Sequence, residues 1–296
     1  MIIIDLMVKF FLIGSSGYIA KKHIECIYKS NGELITACDI KTDGFLDRYF
    51  PDANFTLNTK KFFVDIKKEE GNKKLVICTP NYLHFQHIIY GLKAGCDVLC
   101  EKPPVLKLKD LNKIKTAEKK YNKKCFFVLQ LRHDKNILKL KKEIIKKDDI
   151  KKISVDYITH RGKWYNKSWK GDPKKSGGLV YNIGIHLFDF LYFLFGEFKN
   201  IKKNKVKKDY VNMDVFIKNI KVNIILSTNK KYLPKKLINK KRYQFRKIKI
   251  DNKVLEFSKN FNNLHKKVYE DFMKNKGFDT THIIYIIKTL NNYFKI

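Results

Sequence analysis

Three short stretches of this chain carry residue types whose spacing suits chemistry. Cys100-Glu101-Lys102-Pro103 sets a lysine just past the end of an apolar run, where a buried strand would reach a ligand-binding edge. Gly14-Ser15-Ser16-Gly17-Tyr18-Ile19 follows another apolar run and opens a helical pattern, the setting of a turn that cradles a phosphate. Asn182-Ile183-Gly184-Ile185-His186 places an amide and an imidazole one helical turn apart. An imidazole, with an ordinary pKa of roughly 6.5, can take a proton, and a lysine can steady a developing alkoxide. Together the three point to oxidation of an alcohol at a nicotinamide. Two alternatives stay open. Lys102, desolvated beside a cationic ring, could be the base in place of His186. His186 could equally be a hydrogen-bonded core residue.

The turn is not the usual Gly-x-Gly-x-x-Gly, because Ser16 and Ile19 stand where the second and third glycines are expected. Gly14 would allow the tight turn, and small Ser15 and Ser16 would keep the backbone close to a pyrophosphate. Asp39, at the end of the next strand pattern, is placed to accept hydrogen bonds from a ribose diol. A carboxylate there repels a 2′-phosphate, so NAD is expected rather than NADP; a plain capping aspartate is the simpler alternative. Thr79-Pro80-Asn81-Tyr82-Leu83-His84 follows a further strand, with Pro80 ending it and Asn81 able to cap the next helix.

Elements that could position these groups alternate from Val8 to Val128. Strands are expected at 8–13, 34–39, 75–79, 97–100 and 125–129, with helices at 19–29, 82–94 and 108–121 between them. Gly95 is read as the C-terminal signal of the second of those helices. Such alternation predicts an α/β Rossmann domain, a doubly wound parallel sheet, over residues 1–128. Beyond Gln130 the order changes. Helices are expected at 136–147 and 179–195, then strands at 153–158, 200–207, 210–217, 221–227 and 243–250, then helices at 262–274 and 282–293. Adjacent strands without intervening helices predict an α+β domain over 129–296 with an open, mostly antiparallel sheet.

The 296 residues include 63 Lys and Arg against 29 Asp and Glu, a net charge of +34 that would ordinarily suggest nucleic acid. The lysines are spread evenly among Ile, Asn, Phe and Tyr, as an AT-rich coding sequence produces, and arginine forms no patch. No nucleic-acid partner is therefore expected. Cys26, Cys38, Cys78, Cys96, Cys100 and Cys125 lack Cys-x-x-Cys spacing and sit mostly in apolar runs, which predicts reduced thiols, a cytoplasmic setting and no metal. The opening apolar residues lack a basic flank, so no signal peptide is expected. The apolar run near Leu187–Gly196 is too short to span a bilayer, so no membrane is expected either.

Thr79-Pro80-Asn81 with His84, Glu101-Lys102-Pro103, and Gly177-Gly178 followed by Asn182 and His186 resemble the glucose-fructose oxidoreductase/inositol dehydrogenase/rhizopine catabolism family (Gfo/Idh/MocA). Gly17-Tyr18-Ile19-Ala20, Leu129-Gln130-Leu131-Arg132-His133, Thr159-His160-Arg161-Gly162, Trp164-Tyr165, Ser168-Trp169-Lys170-Gly171, Phe257-Ser258 and Leu264-His265 resemble a narrower group. These are the UDP-N-acetyl-2-amino-2-deoxyglucuronate 3-dehydrogenases of bacterial surface-polysaccharide synthesis. The resemblance implies oxidation of a sugar C3′ hydroxyl with NAD, NADH recycled by 2-oxoglutarate, and a homotetramer formed through the second domain's sheet. It implies cofactor contacts from Gly14, Ser15, Ser16, Gly17, Tyr18, Ile19, Asp39, Thr79, Pro80, Asn81, His84, Glu101 and Lys102. Substrate contacts would come from Lys102, Arg132, His133, Arg161, Trp164, Tyr165, Trp169, Lys170, Asn182 and His186. Asn182 replaces the aspartate common in the larger family, and Ser227–Pro234 is more basic than the acidic stretch expected there. A dehydrogenase of another sugar, inositol or nucleotide sugar, or a basic binding protein on the same fold, are the competing readings.

Overall fold

The computed structural model describes residues 7–145, 152–258 and 264–294. Two units divide the chain: residues up to Val128 join His265–Ile284, and Leu129–Leu264 join the residues from Tyr285 onward.

In the first unit β1 (Lys9–Ile13), β2 (Glu33–Cys38), β3 (Asn54–Thr56), β4 (Lys73–Ile77), β5 (Asp97–Cys100) and β6 (Cys125–Phe127) alternate with α1 (Ala20–Lys29), α2 (Thr59–Lys68), α3 (Asn81–Lys93) and α4 (Leu108–Tyr121). The six strands pair in parallel in the order β3-β2-β1-β4-β5-β6, a doubly wound sheet. Every residue of β4 and β5 is buried, as strands covered on both faces require. The order reverses between β1 and β4, so the loops after these strands flank the crevice where such sheets bind ligands. The sequence reading assigned neither β3 nor α2. β3 has three residues and none buried, and α2 buries only Phe62 and Ile66. Asn81, expected to cap α3, is instead its first residue, after Pro80. Gly95 follows the helix at φ +82°, as its C-terminal role demands.

Residues 265–284, read from the sequence as part of the second domain, pack with the first unit. α10 (Leu264–Met273), numbered after the second-unit helices below, places Val268, Tyr269 and Phe272 in the core around Phe10, Leu12 and Phe126. Phe272 meets Phe10 and Phe126 edge to face, with centroids 6.4 and 5.8 Å apart. The Phe127 N–H donates to the Phe278 carbonyl (2.7 Å), extending the pairing beyond β6. Helical spacing gave the helix but not its address, since its apolar face suits either core.

The second unit holds α5 (Lys135–Ile145), β7 (Ile153–Thr159), α6 (Lys163–Lys167), α7 (Pro173–Ser176), α8 (Ile185–Phe195), β8 (Asn200–Lys207), β9 (Tyr210–Ile217), β10 (Ile220–Ser227), α9 (Lys235–Asn239), β11 (Gln244–Ile250) and β12 (Lys253–Glu256). α11 (Thr280–Tyr293) closes the order. The sheet runs β12-β11-β7-β10-β9-β8; β7 and β10 pair in parallel and the other neighbours antiparallel. Pro173–Phe195 is long and apolar enough to cross a membrane, but 83% of its most apolar window is buried inside the protein, as a core helix is.

Lys74 is fully buried in β4. Its ammonium donates to the Phe272 carbonyl (2.9 Å) and Asn275 Oδ1 (2.6 Å) and lies 4.4 Å from the Phe272 ring centre. Burial pulls its pKa down to about 8, against the Asp97 charge. The unfolded chain therefore binds more protons than the fold from about pH 8 up to the free-lysine value near 10.4, and stability rises with pH across that window. Urea unfolding of the wild type should gain on Lys74→Met between about pH 8 and pH 10; a constant difference would contradict a buried ammonium.

Candidate active site

The first unit carries the residues expected to hold a dinucleotide. Gly14 sits at φ +85°, and a side chain there would meet the Cys78 carbonyl carbon and the Thr79 nitrogen at 2.6 Å. Only glycine lets the end of β1 lie this close to the loop after β4. Ser15 is buried, and the Gly17 N–H donates to the Gly14 carbonyl (3.2 Å). The Ser16 N–H donates to Asp39 Oδ2 (2.9 Å), its hydroxyl to the Lys41 carbonyl (2.6 Å), and the Ile40 N–H to Asp39 Oδ1 (2.6 Å). Each Asp39 oxygen thus holds one donor and can accept another, which suits a ribose diol. Ile19 precedes α1 half-buried, while the Tyr18 ring is 84% exposed.

One ring laces the loops after β4 and β5. His84 places Nδ1 2.7 Å from the Pro103 carbonyl and Nε2 2.7 Å from the Thr79 carbonyl. Burial lowers its pKa, while both carbonyls oppose that shift. Burial also brings His87 to about 4, so its ring is neutral, with Nδ1 3.0 Å from the Thr79 hydroxyl. Pro80 is half-buried and Asn81 buried beside them. These contacts fix Thr79, Pro80 and Asn81 at the carboxyl edge of the sheet, where a nicotinamide half would lie.

Glu101, expected among the cofactor contacts, turns its carboxylate into the unit. Oε1 lies 3.2 Å from His23 Nε2 and 3.5 Å from His265 Nε2, and Oε2 accepts the Lys102 N–H (3.2 Å). Burial alone would raise its pKa, but the two imidazoles and Lys102 hold it well below the usual carboxylate range. The three donor atoms lie within 4.8 Å of one another, a set of ligand types that could also hold a metal ion. Lys102 follows half-buried, joined to Pro103 by a cis peptide. The His23 and His265 pairing was not legible in the sequence. His23 showed only as a member of the buried face of α1, and nothing local links it to α10.

The second unit carries the imidazole candidate, His186. Val180–Gly184 forms a wide, π-helical turn leading into α8. A side chain on Gly184 would meet Leu226 Cδ2 at 2.8 Å, so this turn packs tightly on β10. Asn182 Nδ2 donates to the Tyr165 hydroxyl (2.7 Å), and His186 lies buried one turn on. Burial raises the Tyr165 pKa, keeping it a hydroxyl. The Thr159–Gly162 segment is held by His160 N–H to the Tyr243 carbonyl (2.8 Å) and Arg161 N–H to the Thr228 carbonyl (3.1 Å).

The Lys170 ammonium lies 5.0 Å from the Trp164 ring centre and 5.4 Å from that of Trp169. Burial lowers its pKa, and the Arg161 charge lowers it further. A cation held against two flat rings, with the Arg161 charge close enough to act on it, favours an anionic ligand. Gly171 is required here because a side chain would meet the Asn166 backbone at 2.4 Å. A cavity of about 250 Å³ runs along Tyr165, Lys170, Gly171, Gly177 and Gly178.

Arg132, expected to contact substrate, is engaged otherwise. It is buried, and its Nε and Nη2 bond the Asp189 carboxylate at 2.6–3.2 Å. The pair fixes α8 to the turn before α5, and a buried arginine needs such a partner. His133 lies half-buried at the end of that turn.

Asp39→Ala should raise the Kd for NAD roughly ten- to hundredfold, the worth of hydrogen bonds to a charged acceptor, and narrow the preference over NADP. Fluorescence titration with both dinucleotides measures it; an unchanged preference would remove Asp39 from the ribose.

The family model "Oxidoreductase family, NAD-binding Rossmann fold" matches residues 8–129, and "Oxidoreductase family, C-terminal alpha/beta domain" matches 141–216. Among solved structures, the WlbA (WbpB) dehydrogenase of Thermus thermophilus in complex with NAD and UDP-GlcNAcA is 32% identical. That match covers 98% of this chain and 95% of the other, with a TM-score of 0.93. The same enzyme in complex with NAD and alpha-ketoglutarate gives 34% identity over 95% and 93% of the two chains, with a TM-score of 0.91. Glucose-6-phosphate 3-dehydrogenase of Bacillus subtilis is 26% identical over 64% of this chain and 54% of its own length. The chain thus spans about half the length of the curated relatives it matches. With both family models placed in order and the Gly14 turn and Glu101-Lys102-Pro103 strap formed, the chain belongs to the Gfo/Idh/MocA family of NAD-binding oxidoreductases.

Proposed function

We propose that this chain oxidises the C3′ hydroxyl of UDP-N-acetylglucosaminuronic acid to the ketone. The observation that carries the reading is its near-full-length likeness to the Thermus thermophilus dehydrogenase in complex with NAD and UDP-GlcNAcA. The Arg161 and Lys170 cations beside Trp164 and Trp169 support it, because such a ligand is anionic at both its diphosphate and its carboxylate.

NAD, held by the Gly14–Gly17 turn and Asp39, supplies the hydride acceptor when bound. Lys102 and His186 serve the hydroxyl being oxidised: His186 takes its proton while Lys102 steadies the negative charge on oxygen. Asn182 and Tyr165 set the turn that presents His186. The likeness to the alpha-ketoglutarate complex supports recycling of bound NADH by reduction of 2-oxoglutarate. We place the enzyme in the cytoplasm as a homotetramer formed through the second unit's sheet, with light scattering as the check on its mass. The relation to glucose-6-phosphate 3-dehydrogenase supports one rival, a dehydrogenase of a simpler sugar.

NADH absorbance should appear with UDP-N-acetylglucosaminuronic acid and not with UDP-N-acetylglucosamine, glucose 6-phosphate or inositol; the reverse order discards this substrate. Lys102→Ala and His186→Ala should each lower kcat about a hundredfold or more with NAD affinity retained, and wild-type rates in both would reject the site. With 2-oxoglutarate added, NAD well below enzyme concentration should sustain many turnovers. A need for stoichiometric NAD would refute recycling.

A further inference from the structure

The buried groups behind Lys102 have a fixed sense of hydrogen bonding. Glu101 is a carboxylate, which only accepts, so His23 Nε2, 3.2 Å from Oε1, must carry a proton. Burial lowers the His23 pKa, which favours a neutral ring with no proton on Nδ1. Nδ1 is then an acceptor, and the Tyr269 hydroxyl 2.9 Å away is its donor. Burial raises the Tyr269 pKa well above the usual range, so that hydroxyl keeps its proton. From the other side the Lys102 N–H donates to Glu101 Oε2. His265 stands edge-on to His23, its Nε2 3.5 Å from Oε1.

We propose that Tyr269, His23 and Glu101 form a one-way donor chain that holds the backbone of Lys102, making all three positioning residues for that lysine. The proposal rests on the reading of Lys102 as the cation at the reacting oxygen. Within the chain Glu101 meets Lys102 directly: its Oε2 fixes the peptide from which the lysine side chain departs, and His23 fixes which way the carboxylate plane faces. Glu101 sets the tautomer of His23, and Tyr269, donating to Nδ1, holds the ring in its plane. The titratable groups around Glu101 are His23 from α1, His265 and Tyr269 from α10, Cys78 from the loop after β4, Cys100 from β5, His84 from α3, and Lys102 itself. Apart from the histidines and Lys102 these are neutral, since burial raises both thiols and the phenol.

Two measurements on the full chain with NAD bound test this. Nitrogen-15 imidazole spectra should show His23 as the neutral Nε2–H tautomer throughout about pH 6 to 8, and Tyr269→Phe should shift the Nδ1 resonance by removing its donor while leaving that tautomer in place. An imidazolium or an Nδ1–H tautomer in the wild type overturns the chain, whether or not any nucleotide sugar turns over. In turnover, His23→Leu should cut kcat about tenfold or more while the Kd for NAD moves less than about threefold, and His23→Gln, whose amide can still donate to Glu101, should recover most of it. Wild-type kcat in a folded His23→Leu, or His23→Gln no better than leucine, overturns the proposal. So does stoichiometric zinc in the purified protein, which would put a metal on these donors. If the wild type oxidises no sugar nucleotide but the spectra hold, the substrate reading fails and the donor chain stands.

Discussion

Contact between β1 and the loop after β4 is the constraint on which the first unit's site depends. Gly14 has no side chain, and that absence lets the backbone at Cys78 and Thr79 pass within 2.6 Å of where a Cβ would be. The Gly14 N–H bonds the Cys38 carbonyl on the other flank, so the ends of β1, β2 and β4 are drawn together. Asp39 can then reach the Ser16 amide, and His84 can lace Thr79 to Pro103. Any side chain at Gly14 would open this edge first. The missing second glycine of the usual fingerprint matters less, because Ser16 places its hydroxyl on the Lys41 carbonyl instead of crowding the turn.

Polar groups buried in this lysine-rich chain show how charge is tolerated inside. Lys74 lies in the middle of a core strand, yet a carbonyl, an amide oxygen and an aromatic face receive its ammonium. Arg132 and Asp189 neutralise each other within the second unit. Glu101 is held ionic by imidazoles rather than by a formal cation alone. Lys73 and Arg246 are buried as well, and many of the other lysines are exposed, where water screens them. The net charge therefore describes the surface and says little about the site.

The second unit reaches its binding surface by close backbone approach as well. Ser168 bonds the Tyr165 carbonyl, and Gly171 clears the Asn166 backbone. That folds the tryptophans and Lys170 onto one another. The Tyr165 hydroxyl in turn receives Asn182, so the motif after β7 and the turn before α8 are one structure. The Asn182 amide donates to that hydroxyl, whereas an aspartate at 182 could only accept from it.

Local pattern determined much of this protein. Alternating apolar runs gave the Rossmann strands and their helices to within a few residues, because strands buried on both faces leave a continuous signal. The strand-rich second half likewise declared its mostly antiparallel sheet. The turn at Gly14 and the strand-end positions of Asp39 and Lys102 were legible because they depend on neighbouring residues alone. β3 and α2 were not assigned: β3 is three residues long and buries none of them, and α2 buries Phe62 and Ile66. Only the tertiary structure decided that α10 joins the first core, that His23 and Tyr269, 246 residues apart, share a proton, and that Arg132 faces Asp189. Those outcomes depend on which surfaces meet across long separations. An apolar helix face or a charged side chain records what kind of partner it needs, and not which one it finds.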